Sequence, residues 1–182
     1  TQIIQAAINA LMKDSLTNAK YLYEELGKYD LSDDKFDMSY LDAISTVVGA
    51  EYALKSYNKT VYEKAANLNK VGVSYDTYYD YYFTTKNIEA DVAANGQTVS
   101  GSRKQKLIQY TMSTDLPIVQ KLMLIMSSGY SISDGDISGV SAKQVKRVVA
   151  QYIAKSGLSS EEKTVLAKMC GLTVRNGRVY LA

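Results

Sequence analysis

The densest run of side chains able to do chemistry is Ser74-Tyr75-Asp76-Thr77-Tyr78-Tyr79-Asp80-Tyr81-Tyr82-Phe83. Phenol rings at this density can stack on sugars or bases, and tyrosine is enriched at protein interfaces. At helical spacing Tyr75, Tyr78, Tyr79 and Tyr82 form one broad stripe, the usual pattern of a core face with hydroxyls at its rim. These four are the interface candidates, with core, protein interface and ring stacking as the uses open to them. A second group, Lys143, Lys146, Arg147 and Lys155, lies in a segment with helical spacing and could contact phosphates. A solvated helix face accounts for the same charges, since no second basic cluster extends them into a stripe and the net charge is only +2.

Most catalytic arrangements are excluded by residue type. The sequence has no histidine, which removes the usual general base near neutral pH and the commonest zinc ligand. Its one cysteine, Cys170, cannot form an internal disulfide and sits among Val165, Leu166, Ala167 and Met169, where it reads as a small core hydrophobe. Asp134-Gly135-Asp136 lacks the bidentate glutamate of a calcium loop at the required distance and reads as a turn. The pairs Glu24/Glu25, Asp33/Asp34 and Glu161/Glu162 are adjacent, so on a helix their members point apart. No phosphate-cradling glycine loop or nucleophile elbow occurs. We therefore expect no catalytic residues, no metal and no cofactor. An enzyme would need Asp76, Asp80 and neighbouring tyrosines to line a deep cleft with strongly shifted pKa values.

The elements that must carry these residues read as helices. One proline and 11 glycines leave few obligatory breaks. Residues 2–27 place Ile4, Ile8, Leu11, Ala19, Leu22 and Leu26 on one face, and residues 33–57 place Leu41, Ile44, Val48 and Tyr52 at helical spacing. Further helices are expected over 60–70 and 75–92, with loops at Gly96–Gly101 and Ser131–Gly139. The segment Leu172-Thr-Val-Arg-Asn176-Gly177-Arg-Val-Tyr-Leu181 alternates around Asn-Gly, a strong hairpin signal. No apolar run reaches the roughly 20 residues that span a bilayer, and no signal-peptide pattern is present. The chain opens on Thr1, which points to a processed product or a piece of a longer protein. Charge is graded: residues 1–50 hold four basic and eight acidic side chains, net −4, whereas residues 140–182 hold eight and two, net +6. Such polarity suits head-to-tail assembly or an acidic partner.

An internal repeat organises the second half. Tyr110, Leu116, Lys121, Leu124 and Gly129 recur 42 residues later as Tyr152, Leu158, Lys163, Leu166 and Gly171, with apolar matches at Met123/Val165 and Ile132/Val174. Ser102-Arg-Lys-Gln105 resembles Ser141-Ala-Lys-Gln144. Earlier counterparts of the leucine are Leu31 and Val73. Serine follows it at Ser32, Ser74 and Ser159, as an N-cap, and Ser159 with Glu162 spells a capping box. Pro117 takes that place in the remaining copy. The reading is an all-α fold of stacked helical hairpins with a repeat of about 42 residues, closed by a small C-terminal β-hairpin. Residues 102–128 and 141–170 should be equivalent hairpins, with Leu116 and Leu158 buried at their hinges. The expected organisation is an N-terminal helical region over 1–70 and hairpin repeats over 71–182, whether as two domains or one continuous body.

Two stretches carry a resemblance to a known group. Gly72-Val-Ser-Tyr-Asp-Thr-Tyr-Tyr-Asp-Tyr-Tyr82, continuing through Ala94-Asn-Gly-Gln-Thr-Val-Ser-Gly-Ser102 into Arg103-Lys-Gln-Lys-Leu-Ile-Gln-Tyr110, is one. The ending Gly171-Leu-Thr-Val-Arg-Asn-Gly-Arg-Val-Tyr-Leu181 is the other. Together they resemble the C-terminal helical-repeat regions of large polyvalent or minor virion proteins encoded by phages and prophages of Gram-positive bacteria. The resemblance covers about residues 70–182 and carries no catalytic signature. It implies a non-enzymatic structural or protein-interaction module, located in a virion or in the cytoplasm of a bacterial host. Its implied partners are other virion proteins or further copies of itself. The alternative is a nucleic-acid-binding module using the basic C-terminal third.

Overall fold

The computed structural model of the chain describes residues 41–42, 45–46, 49–94, 100–175 and 178–179. The expected helix over 2–27 and the pair Leu31-Ser32 lie outside the described residues, as do Ile44 and Val48. The described chain is helical almost throughout: α1 (Ala50–Tyr57), α2 (Lys59–Asn69), α3 (Tyr75–Ala94), α4 (Ser100–Ser113), α5 (Ile118–Ser127), α6 (Ala142–Lys155) and α7 (Ser160–Met169). Two short strands follow, β1 (Val174–Arg175) and β2 (Arg178–Val179), paired antiparallel with Val174 opposite Val179. Asn176 and Gly177, expected to form the turn between them, lie outside the described residues. Helix α4 begins at Ser100, so Ser100 and Gly101 are helical and not part of the expected loop. No described helix is long and apolar enough to cross a membrane.

These elements fall into two compact units. One contains the described residues up to Ala66 together with Ser74–Asp80; the other contains Asn67–Val73 and the described residues from Tyr81 onward. In the first unit, the uninterrupted helix expected over 33–57 is broken. Gly49 adopts φ 92°, a left-handed conformation that glycine alone enters without penalty. The break resets the helical phase. Ala50, Ala53, Leu54 and Tyr57 become the buried face of α1, and Tyr52, expected to continue the apolar face through Leu41, is instead 38% exposed. Asn58 then starts α2 by accepting the N–H of Val61 through its side-chain oxygen at 3.1 Å.

In the second unit the core is built around α5. Leu122, Met123, Leu124, Ile125, Met126 and Ser127 are all buried, and a helix apolar on every side requires neighbours on every side. Helices α4 and α6 pack against it, α7 packs against α6, and β1 and β2 pack against α7. The inward residues are Leu107, Ile108 and Thr111 on α4, Val145, Val149, Ala150 and Ile153 on α6, and Leu166 and Ala167 on α7.

Local hydrogen bonds recur at a fixed distance along this unit. The ammonium of Lys121 donates to the carbonyl of Met112 at 2.9 Å, and that of Lys163 donates to Ala154 at 2.9 Å. Thr114 Oγ1 donates to Thr111 at 2.7 Å, and Ser156 Oγ to Ile153 at 2.6 Å. Gly129 and Gly171 follow their helices at φ 91° and 71°, the usual helix exit. Each second member stands 42 residues after the first. Ser159 and Glu162 form the expected capping box.

Two expectations need correction. Leu116 and Leu158 are half-buried, because both stand in connecting turns outside the helices, where chain runs along the surface. Val165 is 48% exposed although the aligned Met123 is fully buried. Among the described elements, α5 packs against a helix on either side, whereas α7 packs mainly against α6 and the two short strands. Leu166→Ala should therefore cost ~2–5 kcal/mol, as for a fully enclosed leucine, and Leu158→Ala clearly less. Urea-denaturation midpoints of the two variants measure the difference.

Candidate functional site

The tyrosine run occupies the first two turns of α3, and each ring has a structural place. In the first unit Tyr78 and Tyr79 are buried and Tyr75 is half-buried. Tyr79 donates its hydroxyl to Asp42 Oδ1 at 2.5 Å. Burial, then the hydrogen bond to Asp42, pushes the Tyr79 pKa upward, which holds the phenol protonated. Burial, followed by the charges of Asp76 and Asp42, raises the carboxyl of Asp80. Tyr75 lies nearly parallel to Tyr62, centroids 6.1 Å apart, and burial chiefly lifts its pKa to about 12. Tyr62 in turn donates to Glu51 Oε1 at 3.2 Å. Lys55 Nζ stands 5.0 Å from the Tyr62 ring centre and 3.8 Å from Glu51.

In the second unit Tyr82 is half-buried, edge-on to Phe83 at 5.0 Å, with Lys86 Nζ 5.5 Å from its ring centre. Tyr81 plays the larger part and sequence spacing alone did not single it out. It is buried, accepts a hydrogen bond from Thr111 Oγ1 at 3.2 Å and stacks on Tyr110 at 6.1 Å. Burial raises its pKa. Of the four interface candidates, Tyr78 and Tyr79 thus present almost no ring surface, while Tyr75 and Tyr82 remain partly accessible. A phenol with a raised pKa stays protonated near neutral pH; Tyr79 uses its proton to donate to Asp42, whereas Tyr81 accepts from Thr111.

The basic candidates behave differently. Lys143, Lys146, Arg147 and Lys155 on α6 are all exposed. The first turn of that helix is already occupied. Ser141 Oγ accepts from Gln144 N, Gln144 returns a bond to Ser141 N, and Asp134 Oδ1 accepts from Ala142 N at 2.7 Å. The pattern Ser-x-x-Gln at 141–144 was the sequence signal for this cap. An anion here would meet side chains first, because the N–H groups of Ala142 and Gln144 are already bonded.

Asp134-Gly135-Asp136 forms the expected turn, with Gly135 at φ 87°. Asp136 accepts the Ser133 N–H and pairs with Lys104 at 2.6 Å. The ammonium of Lys104 and the Ser133 N–H hold its carboxyl below the usual range. Among the described residues no group of histidine, cysteine and carboxylate side chains could hold a metal ion. A hollow of about 270 Å³ lies beside Met126, Tyr130, Val145, Lys146, Lys168 and Cys170. A second, more open one of about 620 Å³ runs along Gln105, Ile108, Gln109 and Met112 of α4.

No protein-family model, no curated protein and no solved structure matches this chain.

Cys170 is buried, and burial pushes its thiol to about 12. The thiolate is the reactive form, so alkylation of the native protein at mildly alkaline pH should be slow and should rise as pH approaches that value. Denaturant should restore the rate of an ordinary cysteine. Timed mass spectrometry with iodoacetamide checks this.

Proposed function

We propose that the chain is a non-enzymatic structural or protein-interaction module of a larger phage-derived, virion-associated protein, built as stacked helical hairpins. The observation that carries this reading is the set of paired hydrogen bonds spaced 42 residues apart: Lys121 to Met112 with Lys163 to Ala154, and Thr114 to Thr111 with Ser156 to Ile153. In this reading residues 102–128 and 141–170 are two copies of one unit. Each hairpin exposes an apolar face that only a neighbour can cover, so copies stack. The strand pair at 174–179 then acts as a hairpin closing the last copy, in line with the packing of both strands on α7.

The phage context rests on the resemblance of residues 70–182 to the helical-repeat regions of large virion proteins. The interaction role is supported by how several polar side chains are used: the Tyr79 hydroxyl is bonded to Asp42, that of Tyr62 to Glu51 and that of Tyr81 to Thr111. An array of this kind offers surface, and its partners would be other virion proteins or further copies of itself, in the particle or in the host cytoplasm. A second reading, a nucleic-acid-binding module, is favoured by one observation, the four exposed cationic side chains of α6. Phosphate contacts release counterions, so that reading requires salt-dependent DNA affinity.

Sedimentation velocity over a wide concentration range, paired with pull-down from purified phage particles, separates these readings. The proposed module should self-associate or retain a virion component. A chain that stays monomeric and retains none would contradict it, and absence of labelled-DNA binding at low salt would end the second reading.

A further inference from the structure

Helix α6 contains four cationic side chains and no carboxylate. Four other lysines of the same unit are spent within the fold. Lys70 pairs with Glu162 at 3.3 Å and Lys104 with Asp136 at 2.6 Å, while Lys121 and Lys163 close helix-end carbonyls. Lys143, Lys146, Arg147 and Lys155 form no ion pair with any described residue. Large apolar side chains stand among these charges. Val148 is 40% exposed and Tyr152 38% exposed, and with Lys155 they share one face at spacings of four and three. Lys143 and Arg147 lie further round the helix. The ring of Tyr152 is also held in place, since its hydroxyl donates to the carbonyl of Val71 at 2.7 Å.

A helix that carries unpaired cations beside exposed apolar side chains suits an acidic protein surface better than a ladder of phosphates, which offers no apolar counterpart. The chain carries such acidity itself. Residues 1–50 hold eight carboxylates against four lysines, with Asp30, Asp33, Asp34 and Asp37 close together. We propose that the α6 face of one copy docks the acidic first 50 residues of a second copy, so that chains associate head to tail. The inference deepens the interaction-module reading and rests on it. A head-to-tail contact uses two different patches, so it repeats until the copies close a ring or form a filament. Opposite charges at such a contact set register and speed encounter, and salt weakens them.

Charge exchange tests the proposal on the full chain. Variant one carries Lys143→Glu, Arg147→Glu and Lys155→Glu; variant two carries Asp30→Lys, Asp33→Lys, Asp34→Lys and Asp37→Lys. By sedimentation velocity at low salt the unaltered chain should self-associate, and moderate salt should weaken it. Each variant alone should lose affinity about tenfold or more, and mixing the two should restore association, because each variant then offers the other a face of opposite charge. Circular dichroism monitors folding. A neutral version, Lys143→Gln, Arg147→Gln and Lys155→Gln, should also lose affinity if either charge-exchanged chain fails to fold. Association insensitive to salt and to both exchanges overturns the proposal, as does an unaltered chain that stays monomeric at low salt. A monomer that binds labelled duplex DNA through Lys143 and Arg147 overturns it in favour of nucleic acid. A monomer that still retains a virion component overturns only the head-to-tail contact, leaving the module reading intact; one that retains nothing contradicts both.

Discussion

Burial of the second half of α5 on every side is the constraint from which the second unit follows. Six consecutive residues, Leu122 to Ser127, are shielded from water, and a helix can bury consecutive residues only when partners surround it. Helices α4 and α6 supply two of its walls. Their inward residues are those at helical spacing toward it, Leu107, Ile108 and Thr111 on one side and Val145, Val149 and Ile153 on the other. The buried hydroxyls of Thr111 and Ser127 are satisfied locally. Thr111 Oγ1 bonds to Leu107 O at 2.7 Å and to the Tyr81 hydroxyl at 3.2 Å, and Ser127 Oγ to Leu124 O at 3.0 Å. Such matching is what a dry core requires.

The turn at 70–73 ties this unit together from a distance in sequence. Val71 O accepts from Tyr152, Gly72 O accepts from Gln120 at 3.2 Å, and Lys70 pairs with Glu162. A single turn thereby touches residues of α5, α6 and α7. Gly72 permits that turn. Its φ is 102°, a backbone conformation that side chains rarely adopt, while the 3.4 Å and 3.8 Å that would separate a Cβ from Gln120 Nε2 and the Tyr152 hydroxyl are ordinary contacts.

What could be read from the sequence was local. Ser159 and Glu162 make a capping box in any helix that starts there, and glycine after a helix signals its exit, so these marks located α7, Gly129 and Gly171 from spacing alone. What depended on neighbours could not be read. The break at Gly49 hides in an apolar pattern that runs through it, and only the backbone shows that Tyr52 has turned outward. Val165 aligns with Met123 in type, but its burial depends on whether a further helix covers α7. Tyr81 was one ring among many until Thr111 and Tyr110 met it. The candidate surface divides the same way. The positive charge of α6 is visible in its composition, whereas the occupation of its first turn by Asp134 depends on a loop that folds back from eight residues upstream.

Amide hydrogen exchange followed by mass spectrometry tests the central claim most directly, because exchange of core amides reports the opening of the elements that cover them. If α5 is the enclosed centre of the second unit, peptides covering Leu122–Ser127 should be the slowest in the chain. Peptides covering the aligned residues 164–169 of α7 should exchange faster, having a helix on one side only. Equal rates in the two segments, or faster exchange at Leu122–Ser127, would contradict the account.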